Sequence, residues 1–267
     1  MIIQKIYRKL GKEYFQIRYN YSKRIRLKYN KELNIHDIKK EFPVLNEQHL
    51  YFHNYFWNLS PYWLRNHREY FSKERRAFGE DAFHAMWYLV FKEFKPKKVL
   101  EIGIYRGSTL SLFSLLSQKF QLQMEVHGIS PFSSAGDAVS KYMDNLDYYS
   151  DVKKNFEFFN LPIPFLHKGY STDFDMINQI KSNEWDLIFI DGNHDYEVAK
   201  ADFNVCSQYL RTGGLIVLDD SSLYTDFKAP FYSTTGHPGP SKVASEIDMD
   251  LFEEILSVGH NRVFKKR

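Results

Sequence analysis

A chain of 267 residues with 43% hydrophobic and 26% charged residues is long enough to bury a sizeable core and has the composition of a globular protein, which excludes disordered and fibrous classes. Its longest apolar runs, such as Ala85–Phe91, fall far short of the roughly 20 residues that cross a bilayer, Met1–Leu10 mixes Lys and Arg with apolar residues, and no secretory or spanning segment is expected. The single cysteine, Cys206, rules out an intramolecular disulfide and a cysteine-cluster metal site, and fits a reducing cytoplasm.

The net charge of +3 is unevenly spread: residues 1–40 hold twelve Lys and Arg against three Asp and Glu, and everything after them is net acidic. Within this arm Ile3, Tyr7, Leu10, Tyr14, Ile17 and Tyr21 recur at alternating steps of four and three, which aligns them on one face of a basic amphipathic helix. Such a helix docks on its own domain, on a partner subunit of a homo-oligomer, or peripherally on an anionic membrane surface. No motif that reads DNA or RNA accompanies the charge, so a nucleic-acid partner is not expected.

Residues 41–97 form an aromatic-rich helical cap region, with Tyr51, Phe52, Tyr55, Phe56, Trp57, Tyr62 and Trp63 expected to pack. Ser60-Pro61 reads as an N-cap followed by proline at the first helical position, and Ala82–Phe94 as a further helix. From Lys98 to the end at residue 267 the period changes. Runs at Val99–Ile102, Met124–Ile129, Pro164–His167, Asp186–Ile190 and Leu215–Leu218 alternate with helical stretches, the pattern of a parallel sheet covered by helices on both faces. Ala199, Phe203, Cys206 and Leu210 share one helix face, which makes Cys206 a core residue. A Gly-, Pro- and Ser-rich loop follows Asp220 through Ser241, then a short helix near Val243–Ile247. Leu251–Val258 and Arg262–Lys265 around Gly259-His260-Asn261 read as an antiparallel hairpin on the sheet edge.

Val99-Leu-Glu101-Ile-Gly103-Ile-Tyr105-Arg-Gly107-Ser108 places a strand, a glycine turn and a helix start in succession, where an open α/β sheet binds nucleotide-like ligands. A dinucleotide fingerprint is not matched, because three residues separate Gly103 from Gly107, and the Gly-Lys-Ser/Thr of a phosphate loop is missing. Glu101 is placed either to hold the turn or to take an amine on the ligand. Asp191 ends one predicted strand and Asp219-Asp220 the next, so the three carboxylates converge at one sheet edge. Convergent carboxylates repel unless a cation joins them, and Mg2+ suits oxygen donors while leaving positions for substrate hydroxyls. Helix capping or pairing with lysines is the alternative role for these groups.

These motifs resemble the class I S-adenosylmethionine-dependent methyltransferases, and within them the metal-dependent O-methyltransferases of the catechol and caffeoyl type and the similar sugar O-methyltransferases. The resemblance covers about Lys98 to Asp220. It implies a Rossmann-like doubly wound sheet, mostly parallel with an antiparallel C-terminal hairpin, behind a helical N-terminal extension. It implies cofactor contacts from Glu101, Gly103, Tyr105, Gly107, Ser108, Ser171 in Gly169-Tyr-Ser171-Thr-Asp173, and Asp191, with Asp191, Asp219 and Asp220 as metal ligands. Where the family carries an acidic residue for the ribose hydroxyls, this chain has Ser130, able to make a single hydrogen bond. His194, three residues after Asp191, takes the place of a base, alongside Asp191; a role in capping the following helix is its alternative. A side chain at Gly103 is expected to fill cofactor space, and His237 stands in either a lid or a plain connector. The implied reaction passes a methyl group to a hydroxyl of a small-molecule or glycan acceptor, a saccharide or secondary metabolite. A non-catalytic cofactor-binding or scaffolding protein of the same fold is the alternative.

Overall fold

The computed structural model describes residue 17, residues 29–140 and residues 142–267. Among the described residues four helices lead in: α1 (Ile35–Glu41), α2 (Leu45–Asn58), α3 (Tyr62–Phe71) and α4 (Asp81–Phe94). Strands and helices then alternate as β1 (Lys98–Ile102), α5 (Ser108–Phe120), β2 (Glu125–Ser130), α6 (Tyr148–Phe158), β3 (Phe165–Lys168), α7 (Phe174–Lys181), β4 (Trp185–Ile190), α8 (Tyr196–Tyr209) and β5 (Leu210–Leu218). α9 (Pro238–Ser245) and the hairpin of β6 (Phe252–Val258) and β7 (Asn261–Lys266) close the chain. The amphipathic stripe of the arm lies outside the described residues apart from Ile17, which is exposed.

The seven strands form one sheet in the order β3-β2-β1-β4-β5-β7-β6, parallel from β3 to β5, with β7 antiparallel to β5. Alternation along each strand divides the core in two. Val99, Leu187, Phe189, Leu215 and Val217 face a large cluster built with α1, α2, α4, α5 and α6; Leu100, Ile102, Ile188, Ile190, Ile216 and Leu218 face α7, α8 and α9. Both faces are covered, which is why the parallel strands read as unbroken apolar runs. Cys206 is fully buried against the second cluster, and burial pushes its thiol pKa far up, as its place on the Ala199–Leu210 stripe predicts.

The aromatics of α2 pack as expected: Tyr51, Phe52, Tyr55 and Phe56 are buried in the same cluster as the sheet. α4 is wedged against the sheet through Trp87, whose ring meets Phe113 at 4.7 Å and Phe189 at 5.1 Å, both edge-on. α1 is capped by the Asn34 side chain, which accepts from the Asp37 N–H, and it spans the 40/41 boundary expected between arm and cap. Ser60 does not cap α3. Its hydroxyl turns back to the Phe56 carbonyl, and Pro61 occupies the cap position.

One buried polar cluster ties α3 and α4 to α5. His67 Nδ1 lies 3.1 Å from His84 Nε2, and His67 Nε2 lies 3.0 Å from the Ser111 hydroxyl. Burial holds His67 neutral, its pKa pushed down to about 3, and lowers His84 as well. The unfolded chain therefore binds these protons first as the pH falls through about 6.5, and stability drops from there towards pH 3. Urea melts of the wild-type chain between pH 6.5 and 4.5 should show this loss, and His67→Gln should reduce its slope by about one proton.

Candidate functional site

The strand order reverses between β1 and β4, and at that point the loops leaving both strands are pressed together. Gly103 takes φ of +92°, and a Cβ there would collide with the carbonyl of Asp191. The glycine is thus demanded by the protein's own backbone, and a side chain at Gly103 would disturb the fold before any ligand contact. Gly107, with φ of +79°, is the left-handed residue preceding α5. The first turn of a helix leaves N–H groups without helical partners, and Ser108 and Thr109 of α5 line the cleft that opens here.

This cleft, about 380 Å³ in volume, gathers most of the expected residues: Glu101, Gly103, Tyr105, Ser108, Asp191, His194, Asp219 and Asp220 all line it. Glu101 performs the first of its two expected roles and leaves room for the second. Its carboxylate accepts the Leu110 N–H at the start of α5, while Oε2 is buried without a partner, and burial raises its pKa well above the usual carboxylate range.

Gly107 does not line the cleft, and Ser130 and Ser171 depart from their expected roles. Ser130 is turned into the fold, donating its hydroxyl to the Ile104 carbonyl at 3.1 Å. A side chain this short spends its one donor on the neighbouring turn instead of reaching a ligand. The Ser171 hydroxyl is held by Asp202 of α8. The loop after β2 supplies Val139, Ser140 and Tyr142 to the cleft instead.

The three aspartates converge as expected. Burial and the facing carboxylates of Asp219 and Asp220 raise Asp191 well above the usual range. Two successive residues reach the same cleft because Asp220 adopts φ of +49°, breaking the strand's alternation. The loop after it returns to brace this turn. The His237 N–H bonds the Asp220 carbonyl at 2.9 Å, and a Cβ at Gly236 would collide with that carbonyl. His237 thereby stands with Nε2 3.9 Å from Asp220 Oδ2 and its ring 4.3 Å from that of His194. The loop is a built part of the site rather than a plain connector.

Sequence reasoning missed the residues brought in by the hairpin. β7 runs antiparallel to β5, so the tip at His260-Asn261 lands beside Asp219. Asn261 Nδ2 donates to Asp219 Oδ1 at 2.6 Å, and His260 Nε2 lies 3.3 Å from the same oxygen. The hairpin topology was the signal that could have placed them there. The donor set fits a divalent cation: Asp219, Asp220 and His260 offer ligand atoms within 4.8 Å of one another, a group that Asp191 does not join, and Asn261, 1% exposed, has an Oδ1 without a partner.

His194 is not free to act as a base. Nδ1 faces Asp137 Oδ2 at 2.6 Å and Nε2 faces Asp220 Oδ2 at 2.9 Å. Carboxylates only accept, so both ring nitrogens carry protons. Burial opposes that charge, yet the bonds to Asp220 and Asp137 raise the pKa to about 9. Asp220 in turn is held below the usual range by the His194 bond despite its burial. Asp137, in the long loop after β2, also accepts the His194 backbone N–H at 2.8 Å; no motif in the sequence marked it.

The family model for a methyltransferase domain matches residues 100–221, the segment carrying the turn, Asp191, Asp219 and Asp220. The match covers less than half of the chain. An uncharacterized protein of Acanthamoeba polyphaga mimivirus is 31% identical over 153 residues, which cover 55% of this chain and 59% of that protein. The match therefore spans less than two thirds of that relative. Among solved structures, the SAH-bound methyltransferase PaMTH1 of Podospora anserina superposes with a TM-score of 0.54 at 16% identity, covering 78% of this chain and 89% of that one. The O-methyltransferase of Bacillus cereus in complex with SAH gives 0.50 at 15% identity over 78% and 92%. These likenesses show that the chain shares the Rossmann-like fold of those proteins, with the hairpin and the N-terminal helices packed on the segment of residues 100–221.

The doubly bonded His194 has a pH signature. Its folded pKa lies above the unfolded value, so its contribution is complete below about pH 6.5 and is lost as the pH rises through about 9. His194→Gln should flatten the decline in stability between pH 6.5 and 9 by up to one proton, measured by denaturant melts across that range.

Proposed function

We propose that the chain is an S-adenosylmethionine-dependent O-methyltransferase, assisted by a divalent cation, acting on a hydroxyl of a saccharide or secondary metabolite. The observation that carries this reading is the abutment of the Gly103 turn and Asp191 in one cleft, beside Asp219 and Asp220. When bound, S-adenosylmethionine would supply the methyl group from its sulfonium, and the cation would hold the acceptor oxygen in its deprotonated form.

The chain's own residues do the rest by position and charge. The unpartnered Glu101 Oε2 and the first turn of α5 suit the amine and carboxylate of an amino-acid moiety. Asp191, pressed against the turn, is the group placed to take the acceptor's proton, in place of His194. The imidazolium of His194 holds Asp220 ionised and in place. Phe78, Phe83 and Trp87 from the N-terminal region wall the cleft with rings, and Arg76 and Thr234 add polar groups, which suits a ring-shaped acceptor bearing hydroxyls.

Calorimetric titration should show S-adenosylmethionine binding to the intact chain. With labelled cofactor, Mg2+ or Mn2+ and a panel of saccharide and phenolic acceptors, label should move to a hydroxyl. Asp191→Asn should leave cofactor binding within a few-fold and lower transfer by about 100-fold or more. Cofactor binding without transfer to any acceptor would support the non-catalytic alternative.

For the basic arm of residues 1–40 the reading is an anchor, on a second copy of the chain or on an anionic membrane. Deleting residues 1–28 should lower the oligomer mass in the first case. In the second it should abolish sedimentation with anionic vesicles at low salt, because such attraction is screened over about 8 Å at physiological salt.

A further inference from the structure

The hairpin tip carries an imidazole whose surroundings fix its chemistry. The His260 ring packs edge-on against Phe83 at 4.7 Å. Its backbone carbonyl accepts from both the N–H and the hydroxyl of Ser221, the residue after Asp220. Nδ1 lies 3.2 Å from the Thr234 carbonyl. A carbonyl can only accept, so Nδ1 carries a proton and Nε2 is the nitrogen left for a cation. It faces carboxylate oxygens, Asp219 Oδ1 at 3.3 Å and Asp220 Oδ1 at 3.9 Å, between which a cation would displace the proton of Nε2.

These separations are too long for the charge-assisted bonds of an imidazolium, which close to about 2.7–2.9 Å. They match donors around one ion. Ligands about 2.1 Å from a shared metal stand roughly 3 Å apart when adjacent and about 4.2 Å when opposite. An imidazole held at Nδ1 by a backbone carbonyl, with Nε2 free, is also the usual state of a metal-ligating histidine. The buried, unpartnered Asn261 Oδ1 next to Asp219 is an independent sign of a missing partner at the same place. His194 cannot play this part, because both of its nitrogens already donate to carboxylates.

We infer that His260 is a protein ligand of the divalent cation, through Nε2 alongside Asp219 and Asp220, so that the centre has a mixed nitrogen and oxygen donor set. Imidazole favours first-row transition ions over Mg2+ and Ca2+, which prefer oxygen alone. The ion belonging to this centre is thus of the Mn2+, Fe2+, Co2+, Ni2+ or Zn2+ class. The hairpin, outside residues 100–221, then completes the centre. This inference rests on the metal-assisted reading proposed above.

The test is Mn2+ binding to the intact chain, followed by calorimetry and by pulsed EPR, which detects a coordinated nitrogen directly. Wild type should show nitrogen modulation from a bound imidazole. His260→Ala should remove it and weaken Mn2+ binding at least tenfold, with His260→Gln as a second variant that preserves bulk and a melting curve to check folding. His237→Ala should retain the modulation. Competition should displace Mn2+ with Co2+ or Ni2+ more readily than with Mg2+, and His260→Ala should narrow that preference. Modulation that persists in His260→Ala would overturn the inference. So would wild type that binds Mn2+ without nitrogen modulation; if Asp219→Asn then abolished that binding, the carboxylate centre would stand without His260. A wild-type chain that takes up no Mn2+ would overturn both.

Discussion

Gly103 and the carbonyl of Asp191 approach so closely that only a hydrogen side chain fits between them, and the site is organised from that contact outward. It locks the loop after β1 to the loop after β4 at the point where the strand order reverses, where an open sheet leaves a crevice. Because the Asp191 N–H continues the ladder to the Ile102 carbonyl at 2.8 Å, and the Asp219 N–H does the same to Ile190 at 3.0 Å, the carboxylates ride on the rigid ends of strands. Groups carried on a sheet hold their separation far better than groups on free loops, and a reaction governed by alignment needs that.

Charge is the second organising force. Three carboxylates are gathered in a partly buried cleft, and among the described residues three imidazoles surround Asp220: His194 at 2.9 Å, with His237 and His260 both at 3.9 Å. His194 is fixed as a donor by Asp137 on its far side, whereas His260 is fixed at Nδ1 by a carbonyl.

The helices ahead of the sheet do more than cover it. α4 buries Trp87 against Phe113 and Phe189 and presents Phe83 and His84 to the cleft, so the aromatic segment is packing and cleft wall at once. Phe83 also supports the His260 ring, so residues far apart in the chain meet at the site's rim. This wall of the cleft is accordingly built from the segment outside residues 100–221.

The sequence by itself determined the alternating strands and helices, the closing hairpin, the glycine turn and the convergence of Asp191, Asp219 and Asp220, because these follow from period, from turn chemistry and from the shared direction of parallel strands. It could not determine which hydrogen bonds side chains make across the fold. Ser130 ends its strand as expected, but the Ile104 carbonyl lies within reach and takes its hydroxyl. His194 has the right spacing for a base, but Asp137, 57 residues away, and Asp220 occupy both nitrogens. His260 and Asn261 look like an ordinary hairpin turn until the antiparallel return of β7 sets them against Asp219. Local pattern fixes where a backbone goes; proton placement and ligand sets depend on contacts between residues far apart in sequence, and only the tertiary structure decided them.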